Sequence, residues 1–541
     1  MNFKEVESEQ KLQGSYYTPK WLSDYIMQWV LQEKSKQILE PSCGDGVFFE
    51  SLDDSFSDIH ITAIDTNESA TKIARGKLSN IKHEVLTKDF ITWSIENFNS
   101  NDPQYFDAVV GNPPFIRYQY MEKELQENAQ NFFELMNMKF TKHTNAWIPF
   151  VLASIKFLRP NGIIGMIVPS EILHVLYAKG LRDYLLQECS EVLIIDPENQ
   201  WFDGILQGVV LLMGRKKSSP TDKTKGLSIF HTKDNSFAKQ NPSELFNNAD
   251  YVDGDFLQSK WTYALLTSEE REVFKSISNN KNVYKFSSVA TADVGIVTGA
   301  NKYFLVTNET VESFGLEKIA HPMFGRSEHC PGIVYDINQH KENINKGYPT
   351  NFIYFESEND DKTYQEYINI GIKENLHIRY KCRIRTPWYK VPSVYSSPIS
   401  MLKRSNGMPR LIFNELDAFT TDTAYRVFPK DSFDAKTLVC CFLNTLTALS
   451  AELEGRHYGG GVLELVPSEI DNLIVPYIPN IDININELNE YVKNHSIDEI
   501  LIRQNKIILK CLGINDEQIR ILQNAFLRIK NRRQHMTEAE D

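Results

Sequence analysis

The sequence predicts an α/β protein: a parallel sheet with helices on both faces, joined to an α+β domain that ends in a helical segment. Three observations predict it. Short runs rich in Val and Ile alternate with helical patterns through the first half. A glycine-containing corner follows the first such run, with an acid about twenty residues further on. Beyond residue 226 the alternation stops, and from about 260 short strand-like pieces with many Tyr, Phe, Pro and Gly take over.

The runs QILEPSC (37–43), IHITAID (59–65), FDAVVGN (106–112), GIIGMIVP (162–169), EVLIID (191–196) and GVVLLMGR (208–215) read as buried strands. WLSDYIMQWVLQ and AWIPFVLASIKFL between them read as amphipathic helices. Ligands of such sheets bind at the carboxyl ends of the strands. RKKSSPTDKTKG (215–226) reads as a polar loop, and 237–255 as a domain boundary. The expected division is 1–245, then an α+β domain over 260–480, then a helical segment over 484–541 with a disordered tip.

The chain has 541 residues, 42% hydrophobic and 24% charged, which is globular composition. No run of eighteen apolar residues occurs and the N-terminus is polar, so neither a membrane span nor a secretory signal is expected. Seven scattered cysteines without a CxxC pair argue against a disulfide framework or a metal site and for a reducing cytoplasm. A net charge of −13 argues against nucleic-acid binding by the whole surface, but not by a basic groove upon it.

ILEPSCGDGVFF (38–49) follows the first strand and leads towards a helix. Gly44 lets the backbone approach a ligand, and Ser42 stands beside it. No Gly-Lys-Ser/Thr follows, so this is not a P-loop. Asp65 ends the second strand, where a carboxylate can accept from both ribose hydroxyls. Asp89 can accept from an adenine amine and Phe90 can cover the ring. Glu40 and Asp45 would repel a pyrophosphate but suit a cation, which favours S-adenosylmethionine over NAD.

DAVVGNPPFIRY (107–118) carries the chemistry. The Asn112 side-chain carbonyl and the Pro113 backbone carbonyl can each accept one N–H from an exocyclic amine. Two acceptors out of plane draw that nitrogen towards sp³ and concentrate its lone pair. Pro113 and Pro114 hold the acceptors rigidly. Phe115 can stack on the base, an effect of about 1–3 kcal/mol.

With these residues in view, the first half resembles the gamma-class, TaqI-like N6-adenine DNA methyltransferases, whose motif order it follows. GSYYTPKWLSDYI (14–26) resembles the family's N-terminal motif, which implies Tyr17, Thr18 and Pro19 near the methionine end of the cofactor. NPPF stands where the family more often has NPPY. WFDGILQGVVLLMGRK (201–216) resembles the segment whose aromatic packs on the target base, here Phe202; read alone, that residue would be core. The resemblance implies a Rossmann-like methyltransferase fold over 1–245, S-adenosylmethionine as cofactor, a base flipped from duplex DNA, and a target-recognition domain over 260–480. It also implies a companion restriction endonuclease and a monomer on DNA. NPPF leaves cytosine N4 open as the target atom; the family's usual target is adenine N6.

Residues 373–410 hold nine Lys or Arg and a single acid, Glu374, with Trp388, Tyr389 and Tyr395 interleaved. Lys381, Arg383, Arg385, Trp388, Lys403 and Arg404 are the expected DNA contacts, against the alternative of a solvated face. No nuclease signature appears. The alternatives kept open are a solitary DNA methylase, a protein-glutamine methyltransferase and a catalytically silent DNA-binding regulator.

Overall fold

The structure is a computed structural model describing residues 18–141, 144–198, 201–202, 208–257, 260–356, 364–458 and 461–535. The expected disordered tip and Tyr17 lie outside these. The chain divides between Leu265 and Leu266 into two compact units.

The first unit is built on an eight-stranded sheet: β1 (Gln37–Glu40), β2 (His60–Asp65), β3 (Lys82–Thr87), β4 (Phe106–Gly111), β5 (Leu158–Pro169), β6 (Cys189–Pro197), β7 (Val209–Lys216) and β8 (Gly226–Thr232). Their order is β3-β2-β1-β4-β5-β7-β6-β8. The six expected strands are present. The two additional ones, β3 and β8, are the edges of the sheet. An edge strand buries less of itself, and Lys82, His83 and Glu84 in β3 mask the apolar signal.

β7 runs antiparallel to β5 and β6, which corrects the all-parallel expectation. Only residues 198–208 separate β6 from β7, short of the dozen or more that a parallel crossover takes.

Asp107 ties the starts of two central strands. Its carboxylate accepts from the backbone N–H of Gln37 at 2.9 Å and of Lys36 at 3.1 Å, and from Arg159 at 2.9 Å. Burial pushes its pKa up, but these donors outweigh that and hold it below the usual value.

Residues 237–255 are not a linker. Phe237 and Phe246 are buried in the first unit's core. The helix Pro242–Asn247 sets Phe246 4.9 Å from Trp29, between ring centres. Ser243 Oγ donates to Glu33, which also pairs with Arg215 at 2.9 Å. The polar composition that suggests a boundary belongs to the solvent side of this short helix.

The second unit contains a five-stranded sheet in the order Ala290–Val294, Ala424–Pro429, Ile399–Leu402, Leu411–Asn414, Val334–Tyr335. Beside it an aromatic-rich core gathers Tyr303, Phe304, Phe352, Phe355, Tyr367 and Tyr389. The helices Ile485–Asn494 and Ile497–Cys511, and the helix Asp516–His535 as far as Gln534, belong to this unit rather than forming a separate segment. Asn489 Oδ1 accepts from the N–H of Ile333 and Val334, and Asn505 Oδ1 from that of Thr445. Arg533 forms a two-pronged pair with Glu452, at 2.9 and 2.6 Å, with both side chains fully buried. Among the described residues, no helix is long and apolar enough to cross a membrane.

Candidate active site

Strand order reverses between β1 and β4, which opens a crevice at their carboxyl ends. The loop after β1 enters it through two left-handed residues, Gly44 at φ 50° and Gly46 at φ 81°. At Gly46 a Cβ would lie 2.9 Å from Phe49 Cδ2 and 3.1 Å from Ala74 Cβ, so only glycine lets the loop lie against the helix Glu68–Lys77. At Gly44 a Cβ would meet nothing within 4 Å, so that backbone faces open space.

That space is a cavity of about 280 Å³ lined by Ser42, Gly44, Asp65, Asp89, Phe90, Asn112 and Pro114, among others. Seven expected site residues from four strand ends therefore share one cavity. Thr18, Pro19, Glu40, Pro113, Phe115 and Phe202 are not in its lining.

The acids are held in place by backbone donors. Asp65 accepts from the N–H of Gly44 at 2.8 Å on one oxygen and of Asn67 at 2.9 Å on the other. Each oxygen keeps a second lone pair for a ligand hydroxyl. Asp89 caps the helix Phe90–Phe98, with Oδ2 accepting from the N–H and the hydroxyl of Thr92, both at 2.7 Å. Its Oδ1 is left for a ligand donor. Phe90 lies 5.1 Å from Phe150, between ring centres, and both line the cavity.

Phe150, Leu125 and Ile116 are cavity residues that sequence reasoning missed. Phe150 belongs to the helix Trp147–Lys156, which the sequence predicts to be amphipathic but which is buried on nearly every side, so no single face marks it. Leu125 is an ordinary apolar residue with no motif around it, and Ile116 follows NPPF without belonging to it.

Glu40 ends β1 and is 1% exposed. Burial first, then the charges of Asp65 and Asp45, push its pKa well above the usual carboxylate value; Lys77 acts the other way. Its Oε2 has no hydrogen-bond partner. A buried acid with an unsatisfied oxygen among other acids is a site for a cation. With the acid-lined cavity beside it, this fits the ammonium end of S-adenosylmethionine and the adenosine beyond.

Asn112 follows β4. Its Nδ2 lies 3.3 Å from Thr18 Oγ1, and its backbone oxygen accepts from Ser42 Oγ at 3.1 Å. The corner at Asn112 is thereby joined to the loop after β1 and to the start of the chain's first described segment. Pro113 is buried and Phe115 half-buried. Phe202, expected to pack on the target base, is 7% exposed in the core cluster that Phe115 borders. In this structure its ring is core, as the residue read alone suggests.

The expected DNA contacts separate. Lys381 and Arg383 are exposed. Arg385 turns inward and donates to the carbonyls of Thr298 and Val297, both at 2.7 Å. Trp388 packs beside Gly371, with its ring 5.3 Å from that of Tyr303. Arg385 and Trp388 are therefore structural here, because the short segment after Arg383 dives into the aromatic core. Lys403 and Arg404 share Glu464, at 3.2 and 2.6 Å, which offsets part of their charge.

Residues 29–202 match the family described as Eco57I restriction-modification methylase, and residues 258–509 match the C-terminal domain of Type II methyltransferase M.Eco57I. Together the two matches support a restriction–modification methyltransferase with a C-terminal domain. Type II methyltransferase M.AccI of Acinetobacter calcoaceticus is 24% identical over 520 residues, covering 92% of this chain and 93% of its own. Type II methyltransferase M.HindII of Haemophilus influenzae is 24% identical over 401 residues, covering 69% and 71%. Among solved structures, the type IIG restriction endonuclease BpuSI is similar at a TM-score of 0.42 and 14% identity, covering 97% of this chain and 66% of that one.

Proposed function

We propose that this methyltransferase modifies N6 of an adenine flipped out of duplex DNA. In that role it serves as the modification enzyme of a restriction–modification system. S-adenosylmethionine supplies an electrophilic methyl group on a sulfonium. Asp65 holds the ribose hydroxyls, Asp89 accepts from the cofactor's adenine amine, and Phe90 with Phe150 covers its ring. Glu40 opposes the ammonium, with Thr18 and Pro19 nearby.

Asn112 and the Pro113 carbonyl accept the two hydrogens of the target amine, and the prolines keep those acceptors from moving. The amine lone pair is thereby freed from the ring. Removing one such preorganised group costs about 10²–10³ in rate where it has been measured. Phe115 stacks on the target base. One amine proton leaves once the new N–C bond forms, because the product ammonium is acidic, so no general base is required beforehand.

The observation that carries this reading is the position of Asn112. It stands at the end of β4, held from both sides by Thr18 and Ser42, on the rim of a cavity that also holds Asp65 and Asp89. Nucleoside analysis of DNA incubated with the chain and S-adenosylmethionine tests it. N6-methyladenine is the expected product. N4-methylcytosine would move the target atom, and unmodified DNA would contradict the reading.

A further inference from the structure

Residues 372–385 of the second unit carry four exposed large apolar side chains, Ile372 at 43% and three that are more exposed still among the described residues. Ile378, Tyr380 and Ile384 are 60%, 65% and 62% exposed. Scattered singly, such residues are ordinary surface. Gathered on one short segment, they mark an interaction site. Arg379, Lys381 and Arg383 alternate with them, all exposed, and Glu374 is the only acid in the stretch. Lys381 Nζ and the Arg383 guanidinium lie 5.7 and 5.9 Å from the centre of the Tyr380 ring.

The mounting beneath is rigid. Leu376 and Cys382 are buried in the aromatic-rich core. Arg385 binds the carbonyls of Val297 and Thr298. The next residue, Gly299, lies so close that a Cβ there would sit 2.6 Å from Lys381 Cβ. Apolar tips are thus presented on a fixed base instead of folding back into the core.

Cations alternating with apolar tips match a polyanion whose interior is apolar, as phosphates flank stacked bases. We propose that this segment is a DNA wedge: Arg379, Lys381 and Arg383 engage phosphates, while Tyr380 and Ile384 enter the stack and open a base step. The wedge rests on the reading of the chain as a methyltransferase of duplex DNA. It would lower the cost of flipping the target base by unstacking its surroundings in advance.

Duplexes bearing the sequence that the chain modifies in cells, with 2-aminopurine at successive positions, report unstacking as a rise in fluorescence. The wild-type chain is expected to produce that rise. Ile384→Ala and Tyr380→Ala are expected to lose most of it and to bind about tenfold more weakly, with the salt dependence unchanged. Arg383→Ala is expected to keep the rise and to reduce the salt slope by about one. Ile384→Leu is expected to restore the wild-type signal, which separates insertion from a general effect on folding.

Alanine variants that match the wild type in fluorescence and affinity would overturn the wedge while leaving methyl transfer intact. Loss of self-association or of a protein partner, with DNA binding unchanged, would assign the surface to protein and also overturn it. A wild-type chain that modifies no DNA would overturn both the wedge and the reading beneath it.

Discussion

The side-chain nitrogen of Asn112 lies 3.3 Å from Thr18 Oγ1. The Thr18 hydroxyl accepts from that nitrogen, so the nitrogen rather than the oxygen of the amide is turned towards Thr18. Thr18 is itself buried, which keeps the contact dry.

Thr18→Val keeps the shape and removes the acceptor. Methyl transfer is expected to fall about tenfold or more in kcat, as small misplacements at a reacting centre do. The KM for S-adenosylmethionine should change little, and Thr18→Ser should recover most of the loss. Steady-state kinetics with a DNA substrate decide it; an unchanged kcat in the Val variant would show that Asn112 is oriented by something else.

Glu40 predicts a pH dependence. Burial and the neighbouring acids raise its folded-state pKa well above the ordinary 4.5. The folded chain therefore holds this proton more tightly than the unfolded chain. The resulting stability is complete below the ordinary value and is lost as pH rises from there through the raised one. Glu40→Gln should flatten that decline in the ligand-free protein. It should also reduce the gain in Tm from added S-adenosylmethionine, because the cation's partner is gone. Thermal unfolding across pH, with and without the cofactor, measures both. A Gln variant that loses stability with rising pH as steeply as the wild type would contradict the assignment.

The Arg533–Glu452 pair tests whether the last helix is integral to the second unit. Arg533 also donates to the carbonyls of Asn406, Gly407 and Gly461. Removing one partner leaves a buried charge alone, at a cost of about 3–5 kcal/mol. Arg533→Ala should lower one calorimetric transition and leave the other in place. If neither moves, the helix contributes little to that unit's stability.

What was legible in the sequence follows from how much burial marks it. The six inner strands announce themselves as apolar runs; β3 and β8 do not, because edges tolerate polar residues. Asp65, Asp89 and Asn112 were legible because motif spacing places them at successive strand ends. Phe150 was not, since a helix buried all round shows no periodic face. Arg385 and Trp388 read as DNA contacts because composition records charge and aromaticity but not direction. The structure turns both inward, whereas Ile384, two positions from a buried cysteine, points out. The helices beyond residue 484 read as a separate segment because an amphipathic pattern shows that a face is buried but not against what, and polar ties such as Asn489 and Arg533 carry no sequence signature.

The central claim is that Asn112, although it also lines the cavity expected to hold the cofactor, acts chiefly by activating the target amine. Labelled methyl transfer to duplex DNA by the wild type and by Asn112→Ala, with calorimetric S-adenosylmethionine binding on both, tests it most directly. The wild type should label adenine; the variant should bind the cofactor nearly as well and lose transfer by about 10²-fold or more. Near-wild-type labelling by the variant, or no labelling of DNA by the wild type, would contradict the claim.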